Sequence, residues 1–216
     1  MPLVYQQNIN GSTRLGVWEI TESAAFFETG VTLQRPIAHE QKKRQHLAGR
    51  WLLKALFPDF PVDLIQVADT RRPFLEKDPF HFSISHAGHF AAAIVSKIHR
   101  VGVDIEIPHP KIERLKDKFS DSREREQYRH WSTDPLHQLT LGWSFKEAMF
   151  KWLAQPGVDF KKQLQVVPTA AVNGRFAAHC RIQRDEIHHL TGEGFWVEDY
   201  LLTWVMEAGT TGNEDA

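Results

Sequence analysis

One six-residue stretch of the chain is apolar except for two acids, and its pattern predicts a strand. Residues 101–106 read Val-Gly-Val-Asp-Ile-Glu. Side chains in a strand alternate between two faces, so Asp104 and Glu106 would project from the same face. The stretch therefore predicts a short buried strand that carries two carboxylates side by side.

About forty residues later, a second segment predicts a helix with charges on one face. It runs from Trp143 to Lys151 as Trp-Ser-Phe-Lys-Glu-Ala-Met-Phe-Lys. Glu147 and Lys151 are four residues apart and would share a helix face, with Lys146 beside them. Three acids and two lysines can hold a divalent cation against a polyphosphate, because carboxylates are hard oxygen ligands and ammonium groups neutralise phosphate charge.

These two segments resemble the signature of the 4'-phosphopantetheinyl transferases. That signature is a strand of the form Val/Ile-Gly-Val/Ile-Asp-x-Glu, followed by a helix that opens with Trp-x-x-Lys-Glu and carries a further lysine. Two more family elements lie upstream: a Ser-His pair at the end of a strand, here Ser85-His86, and a basic-proline loop, here the Arg-Arg-Pro-Phe of residues 71–74. The four elements follow the family's order and cover roughly residues 71–151.

Composition limits the other classes of function. The 216 residues are 42% apolar and 25% charged with a net charge of −1, so we expect no bulk binding to nucleic acid or to an anionic membrane. The single Cys180 excludes an intramolecular disulfide framework. The first residues lack a basic, apolar leader, and no apolar run reaches membrane-spanning length. We expect a cytoplasmic protein.

The pattern along the chain predicts helices and mostly antiparallel strands in both halves. An Asn-Gly pair at 173–174 predicts a type I′ hairpin, and Pro108-His109-Pro110 predicts a break between two subdomains, 1–106 and 107–216, with a disordered tail over 208–216. Strands are expected at about 13–20, 63–68, 80–86, 90–97, 101–106, 176–183, 186–191 and 195–206, and helices at about 37–57, 111–118, 121–131 and 134–154.

The pattern supports an α+β fold, and the resemblance adds what the fold would do. It implies two similar subdomains related by a pseudo-twofold axis, each a helix packed on a small sheet, with the site in the cleft between them. It implies that coenzyme A is the donor, that a serine of an apo acyl or peptidyl carrier protein is the acceptor, and that 3',5'-ADP leaves. Since one chain would supply both halves of the cleft, we expect a monomer.

The resemblance also assigns roles to residues around the acids. Mg²⁺, with Mn²⁺ as an alternative, would be held by Asp104, Glu106 and Glu147, while Lys151 would face the pyrophosphate. Glu147 is also the candidate general base on the incoming serine. Metal ligation and base duty compete for this one carboxylate, and both assignments stay open.

Further residues are expected to contact coenzyme A. Ser85 and His86 would bind a phosphate, and Arg72 would reach the adenosine 3'-phosphate or the adenine edge. Arg44 and Arg50 on the basic helix, and Lys146 beside Glu147, are also expected to contact coenzyme A. Glu124 resembles a third acidic position that some members of the family have between the two main motifs.

Simpler interpretations exist for each residue. Asp104 and Glu106 could pair with the basic helix at a strand edge, and Glu147 with Lys151 could be an ordinary helix salt bridge. Trp143 is expected to pack in the core. Two other functions remain as alternatives: a metal-dependent phosphohydrolase that uses the same acids, and a non-catalytic relative that only binds coenzyme A.

Overall fold

The first half of the chain is a four-stranded antiparallel sheet covered by one long helix. The structure, a computed structural model, describes residues 2–68, 72–76 and 80–207. The sheet has the order β1-β2-β6-β5, and a separate two-stranded ribbon pairs β3 with β4. The elements are β1 Leu3–Asn10, β2 Thr13–Glu19, α1 Ala24–Glu28, α2 Glu40–Leu56, a 3-10 turn Val62–Leu64, β3 Gln66–Val67, β4 Pro73–Phe74, β5 His81–Ala87 and β6 Phe90–Ser96.

The second half repeats the theme with a five-stranded antiparallel sheet and a longer helix. This sheet has the order β7-β11-β10-β9-β8. Its elements are β7 Val101–Glu106, α3 Lys111–Phe119, α4 Ser122–Tyr128, α5 Pro135–Leu153, α6 Phe160–Gln163, β8 Leu164–Val172, β9 Arg175–Gln183, β10 Ile187–Val197 and β11 Tyr200–Glu207. Mixed helices and antiparallel sheets in both halves confirm the predicted α+β class.

Helix α2 begins and ends where its local sequence requires. The ring of His39 accepts a hydrogen bond from the amide of Lys42 at the helix start, and Phe57, followed by a proline, ends the helix. Its buried leucines pack on the small side chains of β6, including Ala91 and Ala93. This core fixes the first half.

Helix α5 lies directly on the strand that carries the acids. Asp134 caps its first turn by accepting hydrogen bonds from two backbone amides, and Pro135 occupies the first helical position. At Gly102 a Cβ atom would collide with the carbonyl oxygen of Ala148, so only glycine permits this close approach of strand and helix. As a result, the face of α5 that carries Glu147 lies beside β7.

The two halves meet along an unusual seam. Strands β5 and β7 are edge strands of different sheets, yet the Ser83 hydroxyl oxygen accepts a hydrogen bond from the backbone amide of Val103 at 3.1 Å. A third apolar core lies between the two sheets, and it includes Phe90 from one and Trp204 from the other. The seam places Ser85 next to Asp104.

Most of the predicted elements are confirmed within a few residues. The 173–174 hairpin joins β8 to β9, with φ of 52° at Asn173 and 72° at Gly174. Helices predicted at 37–57, 111–118 and 134–154 correspond to α2, α3 and α5. The prediction of a strand over 63–68 is wrong for its first residues, which form the 3-10 turn before the short β3.

The prediction of two strands at 186–191 and 195–206 places the break between them too early in the sequence. One strand, β10, continues to Val197, and the turn falls at Glu198, where φ is 52°. The error arises because Gly192 and Gly194 look like a break in the pattern, but the ring of Phe145 on α5 packs against Gly192 inside the strand. The strands β1, β4 and β8 and the short helices α1 and α6 have no counterpart among the predicted ranges, although the predicted hairpin at 173–174 implies a strand where β8 lies.

Two expectations about domains stay predictions. The predicted boundary at residue 107 falls after β7, although β7 belongs by pairing to the sheet of the second half. The tail over 208–216, like Arg71 of the basic-proline loop, lies outside the described residues. Within the described part of the chain, none of the helices combines the length and the apolar character needed to cross a bilayer.

Candidate active site

Asp104 is the centre of a polar cluster between the two halves. Its side chain is buried, with 2% of the residue's surface exposed. The ammonium group of Lys151 lies 2.6 Å from Asp104 Oδ1 and donates a second hydrogen bond to Ser85 Oγ at 2.7 Å. The Ser85 hydroxyl in turn donates to the same Oδ1 at 2.9 Å. One residue from each of β5, β7 and α5 thus meets at a single oxygen atom.

Glu106 and Glu147 complete an acidic cluster around Asp104. Burial, and then the charge of Asp104, raise the pKa of Glu106 to about 7. The same two causes, in the same order, raise the pKa of Glu147 to about 7, while Lys151 opposes the shift. The structure therefore brings together the three acids and one of the two lysines that the sequence singled out.

A divalent cation suits this cluster chemically. Burial and the charge of Asp104 favour the protonated forms of Glu106 and Glu147, and the charge of Lys151 opposes this. The oxygen atoms of the three carboxyl groups are the donors that Mg²⁺ prefers. Among residues 2–68, 72–76 and 80–207, no three His, Cys, Asp or Glu side chains already stand close enough to hold one metal ion. The donor set fits, but Asp104 is turned towards Lys151.

Lys146 does not lie in the cleft. Its side chain is fully buried, and its ammonium group donates to the backbone oxygen of Phe119 at 2.5 Å, to Glu124 Oε2 at 2.7 Å and to the backbone oxygen of Phe160 at 3.1 Å. Burial lowers the pKa of Lys146 and raises that of Glu124, and their contact opposes both shifts. With three donors used, Lys146 has none left for coenzyme A.

Glu124 is therefore a partner inside the second half. Its other oxygen, Oε1, accepts a hydrogen bond from the backbone amide of Val166 at 2.9 Å. The carboxylate thus ties α4 to α5 through Lys146 and to β8 through Val166. This assigns Glu124 to the interior and not to the acidic cluster.

Among the residues of the first half that are expected to bind phosphate, His86 lies near the acidic cluster, since the charges of Lys151 and Asp104 both act on its ring. The ring of His86 lies 5.1 Å from that of His46 on α2, and burial lowers the pKa of both, to about 4 for His46. Arg50 is buried and donates to the backbone oxygen of His46 at 3.1 Å. The buried Nε atom of Arg44 has no hydrogen-bond partner among the described residues.

Arg72 bridges the two halves at the end of α5. Its guanidinium donates to the backbone oxygen of Ala154 at 3.2 Å, three residues beyond Lys151. It also lines a cavity of about 130 Å³ together with Arg100 and Trp152. A cationic and aromatic recess therefore lies beside Trp152, near the C-terminal end of α5.

Sequence reasoning missed several side chains of the site. Trp143 packs on the core as expected, and it also donates from Nε1 to Glu106 Oε1 at 3.2 Å. Ser144 donates to Asp104 Oδ2 at 2.9 Å and lies 2.8 Å from Thr203 Oγ1. Ser144 stands inside the helix motif and could have been found there, whereas no local signal identifies Thr203.

Comparison with known proteins agrees with this geometry. Residues 100–205 match the family described as the 4'-phosphopantetheinyl transferase superfamily. The chain is also 33% identical over 132 residues to enterobactin synthase component D of Salmonella typhi, a match that covers 58% of this chain and 56% of that protein. The chain thus spans little more than half the length of this curated relative.

The family match includes the strand, the helix and the opposite strand that enclose Asp104. All of β7, α5 and the part of β11 that holds Thr203 fall within it. Ser85 and His86 lie before it, on the sheet of the first half. The matched segment and the curated relative thus make the second half of the chain similar to the 4'-phosphopantetheinyl transferase superfamily.

Proposed function

We propose that this protein transfers the 4'-phosphopantetheine arm of coenzyme A to a serine of an apo carrier protein and releases 3',5'-ADP. The observation that carries this proposal is the cluster of Asp104, Glu106 and Glu147 beside the Lys151 ammonium group in one cleft. It combines carboxylate oxygens suited to a metal ion with a cation suited to phosphate, and it lies within the chain segment that matches the family.

The reaction is a phosphoryl transfer in which positioning and charge neutralisation dominate. The serine oxygen forms a bond to the pyrophosphate phosphorus that bears the pantetheine arm. The bond from that phosphorus to the bridging oxygen breaks, and 3',5'-ADP leaves with the electron pair. The serine proton must pass to a base.

Glu147 is suited to accept that proton. A base is most effective when its pKa is near the working pH, and burial together with Asp104 raises the pKa of Glu147 to about 7. The alternative role of Glu147 as a metal ligand uses the same carboxylate. The two roles remain competing parts of the proposal.

The other residues bind and orient the substrate. The Lys151 ammonium group, one quarter exposed, would exchange its contact with Asp104 for a pyrophosphate oxygen. Mg²⁺ or Mn²⁺ held by Asp104, Glu106 and Glu147 would supply further neutralisation of the pyrophosphate charge. Arg72 at the end of α5, with His86 on β5, would hold the nucleotide end.

Intact-mass analysis of apo carrier proteins tests the proposal. Acyl and peptidyl carriers would be incubated with the protein, coenzyme A and Mg²⁺, with an EDTA control. We expect a gain of one phosphopantetheine arm that EDTA prevents and that Asp104→Asn abolishes, whereas Asp63→Asn in the exposed 3-10 turn keeps it. Hydrolysis of coenzyme A without a carrier would indicate the phosphohydrolase, and binding without turnover would indicate the non-catalytic relative.

The same chain would act as a monomer, because both sides of the cleft come from it. Ser85 on the first sheet and Lys151 on α5 already meet within one copy. Light scattering after gel filtration measures the molar mass directly. A mass of twice 24.9 kDa in the active fraction would contradict this part of the proposal.

A further inference from the structure

We infer that Thr203 is a positioning residue that acts through Ser144 to fix the orientation of the Asp104 carboxylate. The inference rests on the proposed transfer reaction for its effect on turnover, and on the hydroxyl geometry for its effect on the site itself. It concerns a strand, β11, that carries no recognised motif.

The side chains of Asp104, Ser144 and Thr203 form a buried series of hydrogen bonds across three elements. Ser144 Oγ on α5 lies 2.9 Å from Asp104 Oδ2 on β7 and 2.8 Å from Thr203 Oγ1 on β11. Thr203 pairs directly with Asp104 in the antiparallel register of β7 and β11. Thr203 and Ser144 have no exposed surface, so water does not compete for these hydrogen bonds.

The number of hydroxyl protons determines which group donates in each of these hydrogen bonds. A carboxylate only accepts hydrogen bonds, so the single hydroxyl proton of Ser144 goes to Asp104 Oδ2. Ser144 Oγ must then accept the proton of Thr203 in the contact between the two hydroxyl groups. The order is therefore Thr203 to Ser144 to Asp104, and Thr203 determines which way the Ser144 proton points.

Ser144 has an ordinary alternative that it does not use. One turn earlier on the same helix, the hydroxyl of Thr140 donates back to the carbonyl oxygen of Leu136 at 2.8 Å, as serine and threonine in helices commonly do. Ser144 instead donates across to Asp104. The charged carboxylate is the stronger acceptor, and Ser144 Oγ still has a lone pair for the proton of Thr203.

The consequence concerns which oxygen of Asp104 faces the cleft. Oδ2 is held in the interior by Ser144, so Oδ1 is the atom presented to Lys151 and Ser85. Without the relay the carboxylate can rotate, and the oxygen that meets Lys151 or a metal ion is no longer fixed. Loss of such supporting hydrogen bonds typically costs about 10–100-fold in metal affinity or activity.

A double-mutant cycle with Ser144→Ala and Thr203→Val tests the relay. We expect Ser144→Ala to lower kcat by about 10–100-fold. Thr203→Val should lower kcat in the same direction, with KM for coenzyme A nearly unchanged in both. Because Thr203 acts only through Ser144, the double variant should be no worse than Ser144→Ala alone. Thr203→Ser, which keeps the hydroxyl, should restore the activity.

Two further measurements separate a positioning role from general damage. Thr140→Val removes a buried hydroxyl from the same helix and should leave kcat unchanged. The dissociation constant for Mg²⁺, measured by calorimetry on each variant, should weaken for Ser144→Ala and Thr203→Val and recover for Thr203→Ser. Additive losses in the double variant, or a Thr203→Val protein equal to wild type, would overturn the relay.

The outcome can be told apart from failure of the proposed function. A wild-type protein that modifies no carrier would overturn the proposed transfer, while the Mg²⁺ affinities of the same variants would still decide the relay. A wild-type protein that transfers the arm, with variants that match it in both kcat and Mg²⁺ affinity, would overturn the relay alone.

Discussion

Helix α5 carries two lysines, five residues apart, whose surroundings are opposite. Lys146 is sealed in the second half, where three protein oxygens accept from its ammonium group. Lys151 stands at the edge of the cleft, one quarter exposed, with Asp104 and Ser85 as partners. Both belong to the same short motif, yet only Lys151 can exchange a protein partner for a ligand.

The difference teaches how burial separates structural from functional charge. A buried ion pair with every donor satisfied holds elements together, since leaving one partner alone in the interior is costly. An ion pair open to a cleft and surrounded by surplus negative charge is ready to be rearranged. Substitutions at the two lysines should therefore affect different properties of the protein.

Replacing Lys146 should have the largest effect, and the quantity affected should be the free energy of unfolding. Lys146→Met leaves Glu124 without its cation in the interior, and we expect the free energy of unfolding to drop by about 3–5 kcal/mol. Urea denaturation measures this. The double variant Lys146→Met with Glu124→Gln should recover part of the loss, and a drop below about 1 kcal/mol would contradict a structural role for the pair.

Replacing Lys151 should instead lower the turnover rate. Lys151→Met deletes the cation expected to stabilise the pyrophosphate, so we expect kcat to fall by about 10²–10³-fold. Carrier modification followed by mass spectrometry gives the rate. Lys162→Met, at a lysine whose side chain is 82% exposed, provides the matched control and should keep full activity. Equal rates for Lys151→Met and Lys162→Met would refute the role of Lys151 in turnover.

The acids near Lys151 should make stability depend on pH. The pKa of Glu106 and that of Glu147 rise from 4.5 to about 7 in the folded protein, so the folded state keeps protons that the unfolded chain has released. Without divalent cations, the free energy of unfolding should therefore fall as pH rises from about 4.5 to 7, by at most about 3 kcal/mol for each of the two carboxyl groups.

Denaturation in EDTA across this pH range provides the measurement, with Glu106→Gln as the comparison. The variant should lose part of the slope because it has one titrating carboxyl fewer. Mg²⁺ added at pH 8 should return stability to the wild type. Identical slopes in both proteins would show that Glu106 does not titrate in this range.

Removing the indole donor to Glu106 should have the smallest effect. The hydrogen bond from Trp143 lowers the pKa of Glu106, so Trp143→Phe should raise that pKa further and weaken Mg²⁺ binding at pH 7 by about 10-fold. Calorimetry measures the affinity. Trp196→Phe, which removes an indole that packs on His137, should leave the affinity unchanged.

The sequence was informative wherever chemistry followed local spacing. Period-two alternation places Asp104 and Glu106 together, and helical spacing places Glu147 with Lys151. Local spacing failed for Lys146, because it predicts which residues share a helix face but not what packs against that face. It also failed for Thr203, which reaches Asp104 only through the pairing of β7 with β11. Such long-range register has no short signature in the chain.

The fold shows the same division between local and distant causes. The predicted ranges 37–57 and 134–154 lie within a few residues of α2, Glu40–Leu56, and α5, Pro135–Leu153. The continuity of β10 was not predicted, because Gly192 inside it serves packing against Phe145 on a helix distant in sequence. A glycine that suggests a turn in the sequence can instead lie inside a strand and make room for a side chain of another element.

The seam between β5 and β7 gives the cleft a further property. The two strands run side by side, but side chains, including Ser83 and Ser85, form the hydrogen bonds across them that a backbone ladder would otherwise provide. A ligand held at once by His86 on one strand and Asp104 on the other would act as an additional rung. We therefore expect the two halves to be mechanically coupled most strongly when the cleft is filled, so that the substrate becomes part of the scaffold that holds it.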